Sequence, residues 1–372
     1  MPSKGDGITK RKDGRYMARY TVHTSEGPKR KVIYGRKYKE VEKKLAEARG
    51  DAARGLIFDA DNLKLGEYLD RWPADSVADT VRPTTFERYE QIVRLHIRPA
   101  LGNLKLKNVT PAHVRGLYRE KLEDGLSPRT VQYVHVTLHK ALKQAINDGL
   151  ISRNATEAVK PPQVRKEEIR PLTAEQVKIL FEAVRGDRLE SLYILAVHTG
   201  LRQGELLGLK WGDVDLEAGT LQVRRTLTTA KDGPVLRAPK TKSSRRTVKL
   251  SPTALEALRS HLERQLREID QAGDLWSENG LIFASASGEP LKRHYITTQR
   301  FKPLLKRVGL PQVRFHDLRH TCATLLLTKN VNPKVVSEML GHASIAITLD
   351  TYSHVLANMQ NEAAKAMEDV LT

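Results

Sequence analysis

The chain of 372 residues is long enough for two or three domains, each with its own hydrophobic core. Its 63 lysines and arginines exceed its 44 aspartates and glutamates, and the formal charge of +19 at pH 7 favours a polyanionic partner, nucleic acid or an anionic membrane surface. Because no apolar run approaches the length of a bilayer span and no hydrophobic signal segment stands at the N-terminus, we expect nucleic acid and no membrane role.

The first 49 residues are strongly basic, with 15 Lys or Arg against six Asp or Glu. Asp13-Gly14 predicts a hairpin turn, and the alternation of apolar residues over 16–22 predicts a half-buried strand. A second strand is expected over 29–34 and a helix over 39–49. We therefore predict a small sheet with one helix and a phosphate-facing surface. The alternative is a solvated, partly disordered basic tail, against which the period-two aromatic pattern counts.

A helical domain is predicted over residues 64–160. Two sets of apolar residues each fall on one helical face: Leu65, Tyr68, Leu69 and Trp72, then Phe86, Tyr89, Ile92 and Val93. Thr110 and Ser127 each stand directly before a proline, which is the pattern of a capping hydroxyl followed by proline at the first helical position. Gly149 predicts the end of the last of these helices.

Paired prolines within residues 160–166 interrupt helix, and the polar composition there predicts a linker. Beyond the linker, helices are expected over 173–184 and 189–198. Gly200 is expected to end the second of these helices, and Arg202 to open the next.

The rest of the chain is predicted to be mostly helical with a short antiparallel sheet. Strands are expected over 220–226 and 245–250, the latter with Arg246, Val248 and Leu250 on one face. Ser251 is expected to start a helix that turns Leu255, Leu258, Leu262 and Leu266 inward. The single cysteine, Cys322, excludes an internal disulfide, and its apolar helical context predicts buried packing in a reducing cytoplasm.

Five side chains in this part of the chain suit one kind of chemistry. Arg202 and Arg319 are cations with planar donors, His316 and His342 are imidazoles, and Lys240 stands in a predicted hairpin turn. Together they are what a pentacovalent phosphate transition state requires when no metal neutralises it.

These residues stand in the order and spacing found in one family. His316 precedes Arg319 by three residues, Gly341-His342 follows, and Tyr352 comes ten residues after His342. In this pattern the chain resembles the tyrosine recombinases, specifically the phage-type integrases, over most of its length.

The resemblance implies a multidomain fold that is mainly α-helical with small β-sheets. An arm-type DNA-binding domain with a three-stranded sheet plus a helix is expected over 1–58. A helical core-binding domain is expected over 64–160, and a mixed α/β catalytic domain over 171–372.

The expected reaction starts at Tyr352, whose phenol attacks a DNA phosphodiester and forms a 3′-phosphotyrosine intermediate. Arg202 and Arg319 are expected to clamp the nonbridging oxygens, since guanidinium meets phosphate bidentately and keeps its charge. The resemblance makes Lys240 the general acid for the leaving 5′ oxygen, with Lys242 as a competing candidate.

The remaining site residues have supporting roles. His316 is expected to accept or relay the tyrosyl proton and to contact the phosphate, and His342 to donate another hydrogen bond to it. Glu205 is expected to orient an arginine or a histidine, and His320 is placed with it around the site. No metal or other cofactor is expected.

The expected partner is double-stranded DNA, bound at core and arm sites by a homotetramer, with a host DNA-bending protein and an excisionase as accessory proteins. The expected DNA contacts of the first domain are eight basic side chains: Lys10, Arg11, Lys12, Arg15, Arg19, Lys29, Arg30 and Lys31. The expected setting is the cytoplasm of a bacterial host, at the nucleoid. There the reaction would integrate, and with accessory factors excise, a phage or integrative element.

A helix with one apolar stripe is expected after Tyr352, through Leu356, Met359, Ala363, Met367 and Val370. It can dock on its own domain or, as the resemblance suggests, on a neighbouring protomer. The sequence leaves both arrangements open.

Three other classes of protein stay open as alternatives. A non-enzymatic DNA-binding protein would share the fold without the chemistry. A type IB topoisomerase would share the attack on phosphate but relax DNA alone, and the basic first segment counts against it. A metal hydrolase could use His316 and His320, four residues apart, but the cation Arg319 between them and the lack of a glutamate there count against it.

Overall fold

The computed structural model describes residues 7–24, 27–53, 62–164, 170–230, 233–238, 245–353, 367–369 and 371. The chain divides into two compact units, Met1–Lys166 and Glu167–Thr372, and the division falls at the end of the predicted proline-containing linker. Lys240, Lys242 and most of the predicted C-terminal helix lie outside the described residues. Within the ranges above, no helix is long and apolar enough to cross a bilayer.

The first unit begins with an antiparallel sheet in the order β1-β2-β3, followed by a helix. The elements are β1 (Ile8–Lys10), β2 (Tyr16–Thr24), β3 (Gly27–Gly35) and α1 (Tyr38–Ala53). Ala18 is fully buried in one cluster with Val41 and Leu45 of α1, because alternate residues of β2 face the helix. The three strands and the helix confirm the predicted small sheet with one helix, although α1 runs past its predicted end.

The basic residues of this sheet were expected on its outer, phosphate-facing side, but they lie on both of its faces. Arg19 and Arg30 are exposed on the face that turns away from α1. Lys31 pairs with Tyr20, so it lies on the face that α1 covers and not on the outer face. The outer face instead carries Val32, which is 40% exposed. The alternation of β3 therefore separates Lys31 from the basic side chains of the outer face, and the DNA contacts of all these residues stay a prediction.

The basic residues of the first turn are exposed. Lys10 lies over the ring of Tyr16 at 5.7 Å, and Arg11 over the ring of Tyr34 at 5.4 Å. Lys12 and Arg15 also face solvent, whereas the side chain of Lys29 lies outside what the structure describes.

The helical part of the first unit is built from four helical runs. They comprise α2 (Leu65–Trp72) with the π-helical Pro73–Val77, α3 (Pro83–Ile92) with the π-helical Val93–Ile97 and α4 (Arg98–Leu101), α5 (Pro111–Glu123), and α6 (Pro128–Asn147). Thr110 accepts the first-turn hydrogen bond of α5 and Ser127 that of α6, as predicted. Tyr68 donates to the carbonyl of Ala141 at 2.9 Å, which ties α2 to α6.

The second unit has three sets of elements. The first helices are α7 (Ala174–Ala183), α8 (Glu190–Thr199) and α9 (Gln203–Leu206). The strands are β4 (Val214–Asp215), β5 (Thr220–Val223), β6 (Thr226–Ala230), β7 (Gly233–Arg237) and β8 (Arg246–Lys249). The later helices are α10 (Pro252–Ala272), α11 (Lys302–Arg307), α12 (Asp317–Thr328), α13 (Pro333–Leu340) and α14 (Ile345–Thr351).

Helix α8 forms the centre of this unit, since nearly all its side chains are buried. Two small antiparallel sheets lie in the same unit, one in the order β4-β5-β8 and one formed by β6 and β7. The predicted strand over 220–226 divides into β5 and the start of β6. Mostly helical units with small antiparallel sheets confirm the predicted fold class.

The inward face of α10 was predicted correctly at Leu258 and wrongly at Leu266, while Leu255 and Leu262 are half-buried. Leu258 is fully buried, but Leu266 is 51% exposed, and the positions beside the core belong instead to His261 and Gln265. His261 lies 2.7 Å from the carbonyl of Ile282, and Gln265 donates to the same carbonyl at 3.2 Å. These polar side chains are buried because the carbonyl of Ile282 accepts bonds from both, although the Nδ1 of His261 has no partner among the described residues.

We predict that Leu258→Ala destabilises the protein by about 2 to 5 kcal/mol, because it leaves a cavity in a closed core. Leu266→Ala on the same helix is the matched control and should change stability by less than about 0.5 kcal/mol. Urea unfolding of both variants measures the difference. Equal losses would contradict the face assigned to α10.

Candidate active site

The start of α12 carries three of the candidate residues. His316 is its N-cap, and Asp317 in the first turn accepts from the backbone N–H of Arg314 at 2.7 Å, which favours a helix start there. The rings of His316 and His320 lie one turn apart, with centroids 5.3 Å from each other and planes at 87°. Arg319, between them in the chain, is only 3% exposed.

Arg319 is a buried cation with a free donor. Its Nη1 donates to the carbonyl of Gly200 at 2.8 Å, while its buried Nη2 has no hydrogen-bond partner among the described residues. Burial, followed by repulsion from Arg202, lowers the pKa of Arg319 to about 9, so it remains charged at neutral pH. A buried charged donor without a partner is costly, which points to an anionic ligand such as a phosphate oxygen.

Gly200 is required where α8 ends. It has a left-handed backbone with φ of 60°, and a Cβ atom there would lie 2.4 Å from a methyl carbon of Leu340. A glycine alone lets α8 end against α13 with its carbonyl directed at Arg319.

Arg202 caps α9 and reaches two neighbours. Its Nη1 donates to the carboxylate of Glu205 at 2.8 Å, and its Nη2 to the carbonyl of Gly341 at 3.3 Å. Burial raises the pKa of Glu205, but Arg246 and then Arg202 outweigh burial, and the net pKa lies below the usual value. Glu205 is therefore an ionised carboxylate that holds Arg202 in place.

The loop after α13 places His342 beside these arginines. Gly341 ends α13 with a left-handed φ of 69°, and the Nδ1 of His342 lies 2.7 Å from the hydroxyl of Thr348. Burial, then repulsion from Arg319 and Arg202, lowers the pKa of His342 to about 4.

His316 belongs to the same positive region. His316 is partly exposed, and the burial of part of its ring, then repulsion from His320, Arg319 and Arg202, lowers its pKa to about 4. Both His316 and His342 are therefore neutral at pH 7 in the free protein. Contacts bring these groups to one site: Arg319 bonds to the carbonyl of Gly200, two residues before Arg202, and Arg202 bonds to that of Gly341, directly before His342.

Tyr352 is buried at the end of α14, with 1% exposure, in one apolar cluster with Leu327 and Leu340. Its hydroxyl lies 2.9 Å from the Nδ1 of His320. Burial raises the pKa of Tyr352 to about 12, with Arg319 acting in the opposite direction. The phenol is therefore protonated at neutral pH, and its attack on phosphorus needs a proton acceptor.

The structure thus brings together Arg202, His316, Arg319, His342 and Tyr352. The phenol bonds to His320, not to His316, which differs from the expected path of the tyrosyl proton. The i, i+4 spacing of the two histidines places both rings on one helix face, and this spacing was the signal in the sequence for His320 as a partner of the tyrosine.

Two other side chains bear on the site. Cys322 is buried, which confirms its predicted packing role, and burial raises the pKa of its thiol to about 12. Arg246 bonds to Glu205 at 3.0 Å. The predicted strand placed Arg246 on one face with Val248, but the sequence did not indicate this partner.

Comparisons with known proteins agree with this geometry. Residues 170–359, more than half of the chain, match the phage integrase family, and residues 64–122 match the phage integrase N-terminal SAM-like domain. A tyrosine recombinase XerC-like protein of Caldanaerobacter subterraneus subsp. tengcongensis is 32% identical, over 95% of this chain and 96% of that protein. The chain belongs to the phage integrase family of tyrosine recombinases.

Other members of the family extend the likeness. The ICEBs1 integrase of Bacillus subtilis is 27% identical, over 78% of this chain and 79% of that protein. The structure of the Tn1549 transposon integrase with transposon right end DNA has a TM-score of 0.69 at 22% identity, covering 81% of this chain and 100% of that one. A lambda integrase dimer bound to a COC′ core site gives 0.61 at 22% identity, covering 94% and 95%. This integrase therefore shares their fold.

We predict that His342 makes the integrase sensitive to acid. Because its folded-state pKa of about 4 lies below the ordinary 6.5, the unfolded chain binds the proton more readily between these values. The free energy of unfolding should therefore fall as pH drops from about 6.5 to 4. His342→Gln should flatten this fall in urea titrations at pH 7.5 and pH 5.

The matched control is His294→Gln, which replaces an exposed histidine in the same unit. It should keep the acid sensitivity of the wild type. An unchanged pH dependence in His342→Gln would contradict the burial and repulsion assigned to that side chain.

Proposed function

We propose that the protein is a site-specific integrase that cleaves and rejoins double-stranded DNA through a 3′-phosphotyrosine at Tyr352. The single observation that carries the proposal is the buried Nη2 of Arg319, which has no partner in the described part of the chain. Arg202, His316 and His342 surround the same region. A scissile phosphate would supply the anion that this cluster of donors lacks.

The attack is a single in-line displacement. The hydroxyl of Tyr352 passes its proton to the Nδ1 of His320 while its oxygen bonds to phosphorus. The bond from phosphorus to the 5′ oxygen breaks, and that oxygen takes a proton from Lys240. Lys242 is the competing donor, and both lysines lie outside the described residues.

The two arginines carry the charge of the transition state. Arg202 and Arg319 bind the nonbridging oxygens, each contributing a few kcal/mol. His316 and His342 add hydrogen bonds, and a bound phosphate would raise their pKa because it attracts the protonated form.

The covalent intermediate makes the reaction reversible. A phosphotyrosine keeps the ester bond, so the 5′ hydroxyl of another strand can attack it and release Tyr352 without ATP. We propose that four protomers on two duplexes exchange strands through a Holliday junction. The likeness in fold to a lambda integrase tetramer bound to such a junction, with a TM-score of 0.58, supports this assembly.

The division of labour among domains belongs to the same proposal. Residues 1–58 would bind arm sites, while 64–160 and 171–372 would hold the core site, and such bivalent binding raises affinity through effective concentration. A host DNA-bending protein and an excisionase would set the direction of the reaction.

Trapping on suicide DNA tests the chemistry. A nicked core site loses its 5′-hydroxyl fragment after cleavage, so wild-type protein should accumulate as a covalent adduct that is visible on a denaturing gel. Tyr352→Phe should form none, because it lacks the attacking oxygen. Excess chelator should leave the wild-type yield unchanged.

Tyr193→Phe is the matched control, since Tyr193 is also buried in the second unit but lies in its core. It should form adduct like the wild type. An adduct with Tyr352→Phe, or none with the wild type on its own site, would overturn the assignment.

Removal of residues 1–58 tests the domain roles. The truncated protein should bind arm-site DNA far more weakly, since it loses a module with most of its basic residues exposed. It should still form adduct on core-site suicide DNA. A folded truncation that fails to cleave core DNA would contradict the division.

A further inference from the structure

Arg246 is a buried cation that the reaction described above does not use. Its side chain is 7% exposed on β8. Its Nη2 donates to the carboxylate of Glu205 at 3.0 Å, and its Nε donates to the carbonyl of Met339 at 2.6 Å. One guanidinium therefore connects β8 with α9 and with the last turn of α13.

Glu205 is shared between this cation and Arg202. One oxygen accepts from the Nη1 of Arg202 at 2.8 Å, while the other accepts from Arg246 and from the backbone N–H of Arg202. The carboxylate side chain is only 4% exposed, so its charge is balanced by these partners and not by water. Two arginines and one carboxylate leave this trio with one net positive charge.

The same two arginines converge on the end of α13. Arg246 bonds to the carbonyl of Met339, and Arg202 bonds to that of Gly341, directly before His342. Carbonyls at a helix C-terminus attract cations, because they carry the negative end of the helix dipole. The orientation of Arg202 and the position of His342 therefore depend on one connected set of bonds.

We infer that Arg246 is a positioning residue for the strand-cleavage step, which rests on the proposed function. It never touches DNA. It offsets the charge of Glu205, so that the positive charge of Arg202 is not balanced within the protein and remains available to the scissile phosphate. It also fixes α13, so that His342 stays in register with that phosphate. Without Arg246, only Arg202 would balance the charge of Glu205, and these two side chains together would carry no net charge.

The test compares two methionine variants. Arg246→Met removes this cation, and Arg188→Met removes a guanidinium with equivalent bonds, to the carboxylate of Glu268 at 2.6 Å and to the carbonyl of Ala284 at 2.7 Å. Among the described residues, Arg188 bonds to Glu268 and Ala284 and to none of the site residues. Both variants should lose thermal stability. A slower reaction in Arg246→Met alone would therefore reflect the positions of Arg202 and His342 and not the stability of the fold.

The decisive readout is the single-turnover rate of adduct formation at saturating core-site DNA, beside the Kd for the same DNA. Arg246→Met should slow cleavage about 100-fold, as expected for a misplaced reacting group, while Kd changes less than about 3-fold. Arg188→Met should leave both values near those of the wild type. Arg246→Lys should recover part of the rate, because it restores the charge but only part of the bonding.

A double-mutant cycle shows whether Arg246 acts through Arg202. Arg202→Ala with Arg246→Met should be little slower than Arg202→Ala alone, because the second change removes the support of a group already absent. Multiplied defects, or equal rates for Arg246→Met and Arg188→Met, would overturn the inference. A wild type that forms no adduct would instead overturn the proposed function, and this inference with it.

Discussion

The active site depends on an excess of positive charge that is partly held away from water. The guanidinium groups of Arg202 and Arg246 bond to the buried carboxylate of Glu205, and that of Arg319 is itself buried against the carbonyl of Gly200. Such a cluster is unfavourable unless backbone carbonyls and an incoming anion offset it. The fold supplies the carbonyls at the ends of α8 and α13, where Gly200 and Gly341 take left-handed conformations, and leaves the anion to the substrate.

Burial and this excess charge together set the protonation states of His316, His342 and Tyr352 before DNA binds. The arginines help to keep His316 and His342 neutral, and burial keeps the phenol of Tyr352 protonated. A phosphate dianion or diester would reverse the first of these effects, since it stabilises the protonated imidazoles. In this account, the binding of DNA would raise the pKa of both imidazoles and so prepare the site. Tyr352, buried with its hydroxyl against His320, would then lose its proton only once DNA is bound.

Much of the fold followed from local signals in the sequence. Ser127 before a proline predicted the start of α6, and the alternation of β2 predicted the burial of Ala18, because both depend only on neighbours in the chain. Part of the inward face of α10 was missed, since His261 and Gln265 are buried by bonds to a loop that is distant in sequence. Periodicity of apolar residues contains no information about such partners.

The candidate site shows the same division. The motif around Arg319 identified the cations and Tyr352, because their order along the chain is specific. The bonds between Glu205 and Arg246 and between Tyr352 and His320 could not be predicted, since each joins elements whose approach is decided by packing. The side chains proposed to act on substrate, and Glu205 as one that orients them, were visible in the sequence, whereas the bonds of Arg246 and the contact of His320 with Tyr352 were visible only in the fold.

A crystal structure of the Tyr352→Phe variant on core-site DNA tests the central claim most directly. The account predicts that a nonbridging oxygen of the scissile phosphate lies within about 3.2 Å of the Nη2 of Arg319, with another oxygen bound by Arg202. A phosphate bound elsewhere, with the Nη2 of Arg319 directed into the protein, would contradict it.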